Sequence, residues 1–265
     1  MEEFKAEELK KLYQPSKDSH KGQNGKLLVI GGSELFHAAS MWALEVASRI
    51  VDMVFYASTP VNEEIVKKQK ERFHDGIVVP TDELDEYLKE ADCVLIGPGM
   101  VRGKETEEKV NSLLKKYLDK RWVIDGGAVQ MMDKELLTKT MIVTPHIKEF
   151  KRLFGVEKDG EMVKKMAGKY GCTIVLKGLE DVVCDGSRCV RNKTGNEGMT
   201  KGGTGDVLAG LIGGLYCKNE AFLAASCGVY LNGLAGDRLH SLVGSNFNAS
   251  DLVKELPRVM AEVIT

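Results

Sequence analysis

The residues whose types and spacing could do chemistry are densest between Thr194 and Asp206. The stretch reads Thr-Gly-Asn-Glu-Gly-Met-Thr-Lys-Gly-Gly-Thr-Gly-Asp, with glycines at 195, 198, 202, 203 and 205. An apolar run, Val207-Leu208-Ala209-Gly210-Leu211-Ile212, follows at once and predicts a buried helix. A flexible loop that enters a helix presents unpaired N–H groups and the positive end of the helix dipole, a setting that attracts phosphate. Glycines let the backbone come close to an anion. Asp206 stands at the start of that helix. It could be a helix cap, a common role for aspartate. It could equally take a proton from a nucleophilic hydroxyl beside the anion. This stretch alone leaves both readings open.

The elements that must position such a loop follow from the rest of the chain. Apolar runs at Lys26–Ile30, Met53–Ala57, Cys93–Ile96, Arg121–Ile124 and 141–143 read as short strands. Helical spacing lies between them, over Ala38–Ile50, Glu83–Glu90 and Glu105–Leu118, with weaker signals over 61–79. Strands alternating with helices predict parallel βαβ units in a sheet covered on both faces. After residue 172 the pattern changes to three strands, Thr173–Leu176, Val182–Cys184 and Arg188–Val190, the last two as a hairpin. Helices at 205–217, 220–240 and 250–263 close the chain. Residues 1–24 read as a short charged helix followed by a polar loop. No repeat or linker interrupts the pattern, so residues 1–265 are expected to form one domain.

Several polar loops come directly after strands: Gly31-Gly32-Ser33, Gly97-Pro98-Gly99, Asp125, Thr144-Pro145-His146 and Lys177-Gly178. In an open parallel sheet the carboxyl ends of the strands border the ligand crevice, so these loops are expected on one edge. Each has a plain structural reading as well: Gly-Pro-Gly as a turn, Asp125 as a cap or turn former, Pro145 as the first residue of a helix, His146 as a helix-start residue, and Lys177 as a solvated strand-end lysine. Gly31-Gly32 lacks the G-x-G-x-x-G dinucleotide fingerprint.

Composition narrows the function class. The 265 residues carry a formal net charge of −2 with both signs spread along the chain, which gives no basic footprint for nucleic acid. The N-terminus lacks an apolar signal core and no apolar run reaches membrane-spanning length, so a cytoplasmic protein with no membrane partner is expected. The six cysteines show no zinc spacing. Cys184 and Cys189 flank the turn signal Asp185-Gly186; a disulfide there would be unusual in a reducing compartment.

These motifs, in order, resemble the ADP- or ATP-dependent NAD(P)H-hydrate dehydratases, whose fold is ribokinase-like. The resemblance is carried by His20-Lys21-Gly22 with Leu28–Ser33, Ala38-Ala39, Ile96–Gly99, Val123–Asp125, Thr144-Pro145-His146 with Glu149-Phe150 and Leu153, Val175–Gly178, and Thr194–Asn196 through Gly202–Gly210. It implies a three-layer α/β/α sandwich with a mostly parallel central sheet. It also implies repair of NADH and NADPH hydrated at ring carbon C6: the hydroxyl is phosphorylated and phosphate eliminated, leaving AMP from ADP or ADP from ATP. By resemblance, Asp206 is the base, and Ala39, Gly97, Gly99, His146 and Asp206 contact the hydrate. Lys177, Gly178, Asp181, Asn196, Gly202, Gly203, Thr204 and Gly205 belong to the nucleotide site. Mg²⁺ is expected with the nucleotide, Glu149 being the nearest match to a metal-linked glutamate, and a homo-oligomer is implied.

Four departures from the family pattern stand out. Asp181 replaces a threonine, Met100-Val101 replaces Leu-Gly, Asp125-Gly126-Gly127 shortens an Asp-Ala-Asp segment, and Thr200-Lys201 replaces Ala-Thr, adding a cation near the phosphates. The residues before the matched region leave no room for the N-terminal epimerase domain that many bacterial members carry, so none is expected within this sequence. The competing reading is a ribokinase-like kinase of a vitamin-precursor alcohol, which needs the same loop and base but keeps the phosphoryl group on its product.

Overall fold

The structure, a computed structural model, describes residues 1–71, 73–157 and 160–264. Its strands are β1 (Glu2–Glu3), β2 (Lys26–Ile30), β3 (Met53–Ala57), β4 (Ile77–Val78), β5 (Cys93–Ile96), β6 (Arg121–Ile124), β7 (Met141–Val143), β8 (Thr173–Leu176), β9 (Asp181–Cys184) and β10 (Cys189–Asn192). They form one sheet in the order β1-β10-β9-β8-β7-β6-β5-β2-β3-β4. From β8 to β4 every pairing is parallel; β9 is antiparallel to both of its neighbours.

Period-two alternation sorts the side chains into two layers. Leu27, Val29, Val54, Tyr56, Leu95, Val123 and Ile142 face one core. That core is completed by α1 (His37–Ala47), α8 (Thr204–Tyr216), α9 (Ala221–Val243) and α10 (Ala249–Ile264). Leu28, Ile30, Phe55, Val94, Ile96, Trp122, Ile124 and Val143 face the other. There α3 (Leu84–Glu90), α4 (Lys104–Lys116), α5 (Gly126–Met131), α6 (Ile147–Phe154) and α7 (Gly160–Tyr170) pack. The central strands are buried on both faces, which is why they read as unbroken apolar runs. This is the expected three-layer α/β/α arrangement with a mostly parallel sheet. Among the described residues, no helix is long and apolar enough to cross a membrane.

Three local expectations are corrected. The short charged helix of the N-terminus is a 3-10 helix over Ala6–Lys11 that buries Leu9, and it is preceded by an unexpected strand, β1, that pairs in parallel with β10. Only Phe4, Leu9 and Leu12 are buried there, too few to make an amphipathic helical face, while the open edge of β10 offers backbone partners. A short helix, α5, follows Asp125 where none was expected. The helix after Thr144 begins at Ile147 rather than Pro145, because His146 takes the capping position. The weak signals over 61–79 resolve into α2 (Pro60–Gln69) and β4. In the β9–β10 hairpin Cys184 and Cys189 are register partners with Cα atoms 4.2 Å apart, joined by a disulfide.

The turn after β5 fixes how closely the strand ends approach. Gly97 has φ 119° and is packed so that a Cβ would strike the carbonyl oxygen of Asp125. Gly103, with nothing within 4 Å of a Cβ, makes the contrast. Gly97→Ala is expected to destabilise the fold by more than about 3 kcal/mol, and Gly103→Ala to stay within about 1 kcal/mol, in denaturant titration.

Candidate active site

The loops leaving β2, β5, β6, β7 and β8 gather on one edge of the sheet, as their positions after parallel strands require. The centre of the cluster is a buried ion pair. Lys177, just past β8, places Nζ 2.7 Å from Asp125 Oδ1, just past β6. Thr144, at the end of the intervening β7, donates its hydroxyl to the same oxygen at 2.6 Å. Asp125 is 3% exposed. Its side chain therefore does not cap α5, as its position in sequence suggested, but holds Lys177. Burial opposes the charge on Lys177, yet Asp125, with help from Glu149 and Asp206, outweighs it and holds the ammonium above its ordinary range. Lys177 is thus not the solvated strand-end lysine of the default reading.

The glycine-rich loop meets this pair from the opposite layer. Gly203, in the left-handed region at φ 98°, is the N-cap of α8, and Thr204, Gly205 and Asp206 form its first turn. A Cβ on Gly205 would lie 3.5 Å from Lys177 Nζ. Thr204 gives its N–H to the carbonyl of Lys201; the N–H of Gly205, next in the turn, has no partner inside the helix and lies on the side of the lysine. Asp206 is in the third helical position and does not cap α8. Burial first, then the negative charges of Asp125 and Glu149, push its carboxyl up to about 7, with Lys177 pulling the other way. A carboxyl poised near neutrality beside an anion-binding turn suits proton abstraction at physiological pH.

The loop before the turn is held from outside the motif. Asn196 Oδ1 accepts from the N–H of Gly198, and its Nδ2 donates to Asp237 Oδ1 at 2.9 Å. The other oxygen of Asp237 accepts from the N–H of Gly195 at 3.0 Å. Asn196, expected at the nucleotide, is instead committed to shaping the loop. Asp237 on α9 was missed; nothing in its sequence neighbourhood marks it, since it is a lone acid on a long helix. Trp42 on α1 was missed as well: its ring lies beneath Gly203, where any Cβ would strike it, and its Nε1 donates to Ser250 Oγ at 2.9 Å. Thr204 turns its hydroxyl to the carbonyls of Met199 and Lys201, at 2.6 and 3.0 Å, closing the loop. Gly202 is exposed, with open space around it. Lys201 does not point into the phosphate space: its amine donates to the carbonyl of Ser245 and stands 5.3 Å over the Phe247 ring.

The remaining expected residues divide between rim and support. Ala39 and Gly99 are neighbours on the rim, a Gly99 Cβ falling 3.0 Å from the Ala39 methyl. Gly97 is buried beneath them against Asp125, so it supports the rim without reaching it. His146 is the N-cap of α6. Its Nδ1 accepts from the N–H groups of Lys148 and Glu149, both at 3.1 Å. The neutral ring then carries its proton on Nε2, and the ring is half exposed. A bridge between His146 and Lys177 continues the sheet past the ends of β7 and β8. Gly178 donates its N–H to Asp181 Oδ1 at 2.8 Å. The aspartate that replaces the family's threonine thus ties the turn between β8 and β9.

Glu149 serves the cap rather than a preformed metal site. Its Oε2 accepts from the N–H of His146 at 2.9 Å and its Oε1 from Gln130 Nε2 at 2.8 Å. Both oxygens are in use, and the side chain is 6% exposed. Among the described residues, no three His, Cys, Asp or Glu side chains group to hold a metal. The donor set therefore does not fit a protein-built magnesium cage.

A family model described as NAD(P)H-hydrate dehydratase matches residues 27–258. The bifunctional NAD(P)H-hydrate repair enzyme Nnr of Methanocaldococcus jannaschii is 40% identical over 263 residues, covering 96% of this chain and 51% of that protein. The ADP-dependent (S)-NAD(P)H-hydrate dehydratase of Cenarchaeum symbiosum is 35% identical over 266 residues, covering 92% and 91%. The ADP/ATP-dependent NAD(P)H-hydrate dehydratase from Bacillus subtilis, co-crystallized with ATP/Mg²⁺, superposes with a TM-score of 0.82 at 25% identity, covering 99% and 98%. The chain spans about half the length of the bifunctional relatives it matches. The matched region takes in every element described above as positioning Lys177, the glycine-rich turn and Asp206. By that span and by the order of its strand-end motifs, the chain belongs to the NAD(P)H-hydrate dehydratase family.

Proposed function

We propose that the chain dehydrates hydrated NADH and NADPH at the expense of ADP or ATP, restoring the reduced cofactor and releasing phosphate with AMP or ADP. The observation that carries this reading is Asp206: a carboxyl pushed up to about 7 on the first turn of α8, facing the same space as the Lys177 ammonium. Hydroxide is a poor leaving group and phosphate a good one, so the hydroxyl at ring carbon C6 must first be phosphorylated. Asp206 takes the hydroxyl proton as the oxygen attacks the terminal phosphoryl group. The N–H groups of the turn and Lys177 stabilise the charge on the transferring group. Phosphate then leaves from C6 and a proton from the adjacent ring carbon, which restores the double bond.

In this reading Ala39, Gly99 and His146 border the hydrate, and Lys177 to Asp181 border the nucleotide. Mg²⁺ commonly binds through substrate phosphates, with one or two carboxylates at most; here it would arrive with the nucleotide rather than wait in a protein cage. A small-molecule partner set and a homo-oligomer are part of the same proposal.

The direct experiment supplies hydrated NADH with ADP, and separately with ATP, plus Mg²⁺, and follows the near-ultraviolet absorbance of the reduced ring. Recovery with at least one nucleotide is expected; recovery with neither defeats the proposal. A kinase of an unrelated alcohol would leave that absorbance flat.

Asp206→Asn is expected to abolish turnover while nucleotide binding, followed by calorimetry, stays within a few fold. Because the base must be ionised, kcat/KM is expected to rise with pH and level off above an apparent value near 7. The same shift makes a stability statement. The folded carboxyl holds its proton up to about 7, whereas the unfolded one releases it near 3.8. Wild-type stability therefore falls as pH rises between those values, and Asn escapes the loss. The melting temperature of Asp206→Asn should match wild type at pH 3.5 and exceed it by on the order of 5 °C at pH 8. A variant that is inactive and less stable at pH 8 would contradict the assignment.

A further inference from the structure

A recess lies along the same sheet edge, past the ends of β2 and β3. Its volume is about 80 Å³, and its polar lining comes from Ser33, Ser58, Thr59, Thr106, Glu105 and Lys109. It is far smaller than the few hundred Å³ of a whole-ligand pocket, so it suits a fragment of a larger molecule. Its walls are built. Ser58 donates to the carbonyl of Gly31 at 2.5 Å, Thr106 to that of Val101 at 2.7 Å, and Ser33 accepts from the N–H of Phe36 at 3.1 Å. Gly32 donates its N–H to the carbonyl of Pro98 at 2.7 Å, pinning the β2 and β5 loops together between this recess and the Asp206 site.

Two charged side chains on α4 line the recess. Lys109 is half-buried and makes no ion pair within 4.0 Å among the described residues. Glu105 stands four residues earlier on the same helix, and Glu63 on α2, 9% exposed, is near enough for its charge to be felt at Lys109. One cation thus sits among two carboxylates. A dianionic phosphate would meet more repulsion than attraction in this setting. Sugar hydroxyls, which donate to a carboxylate and accept from an ammonium, match it. An acidic side chain that reads a ribose hydroxyl is the usual way for a site to choose the unphosphorylated dinucleotide.

The rim supplies the connection. Ala39 and Gly99 border the rim at the ends of β2 and β5, and the recess adjoins it: Gly32 and Met100 line the recess, Met100 follows Gly99 in the chain, and a Gly99 Cβ would lie 3.1 Å from Gly32 Cα. The sugar–diphosphate–sugar chain of a dinucleotide can pass from one to the other. We propose that this recess is a ribose subsite for the far half of the dinucleotide hydrate, with Lys109 and Glu105 binding the ribose hydroxyls, so that hydrated NADH is preferred over hydrated NADPH. The inference rests on the dehydratase reading above.

The test is steady-state kinetics of the full chain on each hydrate, with saturating nucleotide and Mg²⁺. The wild type is expected to favour hydrated NADH about tenfold in kcat/KM, equivalent to about 1.4 kcal/mol. Glu105→Gln, on the exposed side of α4, should shrink that ratio several-fold by improving hydrated NADPH. Lys109→Met should raise KM for hydrated NADH about tenfold while leaving kcat and the nucleotide KM unchanged. Equal efficiency on both hydrates, or a ratio unmoved by Glu105→Gln, overturns the subsite and leaves the dehydratase reading standing. Recovery of reduced cofactor from neither hydrate overturns both.

Discussion

The site depends on one buried ion pair. Lys177 and Asp125 come from strands two places apart, with Thr144 from the strand between donating to the shared oxygen. A buried charge without its partner is strongly destabilising, so the three strand ends must stay in register for the pair to exist. The pair also sets the electrical character of the space above it. Asp125 raises the proton affinity of Asp206 while Lys177 lowers it. The base is tuned by a contest between partners that are themselves bonded to each other. Removing either would change the other's effect on Asp206.

Around this pair the backbone is brought unusually close. Gly97 meets the carbonyl of Asp125, Gly99 meets Ala39, and Gly203 meets the ring of Trp42. These contacts come from both helical layers and converge on a single edge of the sheet. The glycine-rich loop is also fastened at its far end, where Asp237 receives two bonds from Gly195 and Asn196. The loop is therefore held open and shaped before any ligand arrives, which lowers the ordering cost of binding.

Much of this was legible in the residues themselves. Short apolar strands alternating with helices gave the parallel sheet, and the rule that ligands meet strand carboxyl ends placed His146, Asp125 and Lys177 on one edge. The turn before α8 announced itself by its glycines. What could not be read was long-range pairing. Asp125 looked like a cap because its partner lies 52 positions away. Lys201 looked like a phosphate ligand because its anchor, the Ser245 carbonyl, is a backbone atom in a distant loop. Glu149 was the nearest match to a metal-linked glutamate by resemblance, and its two oxygens accept from His146 and Gln130. In each case the side chain's type was plain and its direction was decided by a neighbour that only folding supplies.

The indole beneath Gly203 has an optical consequence. The chain holds two tryptophans. Trp122 is fully buried in the opposite layer, with its Nε1 on the carbonyl of Tyr117. Trp42 alone touches the anion-binding turn. Its emission therefore belongs to the loop, while that of Trp122 belongs to the sheet. A change in intrinsic fluorescence on adding a nucleotide would be assigned to one ring without any label, and the other ring would serve as an internal standard for the integrity of the fold.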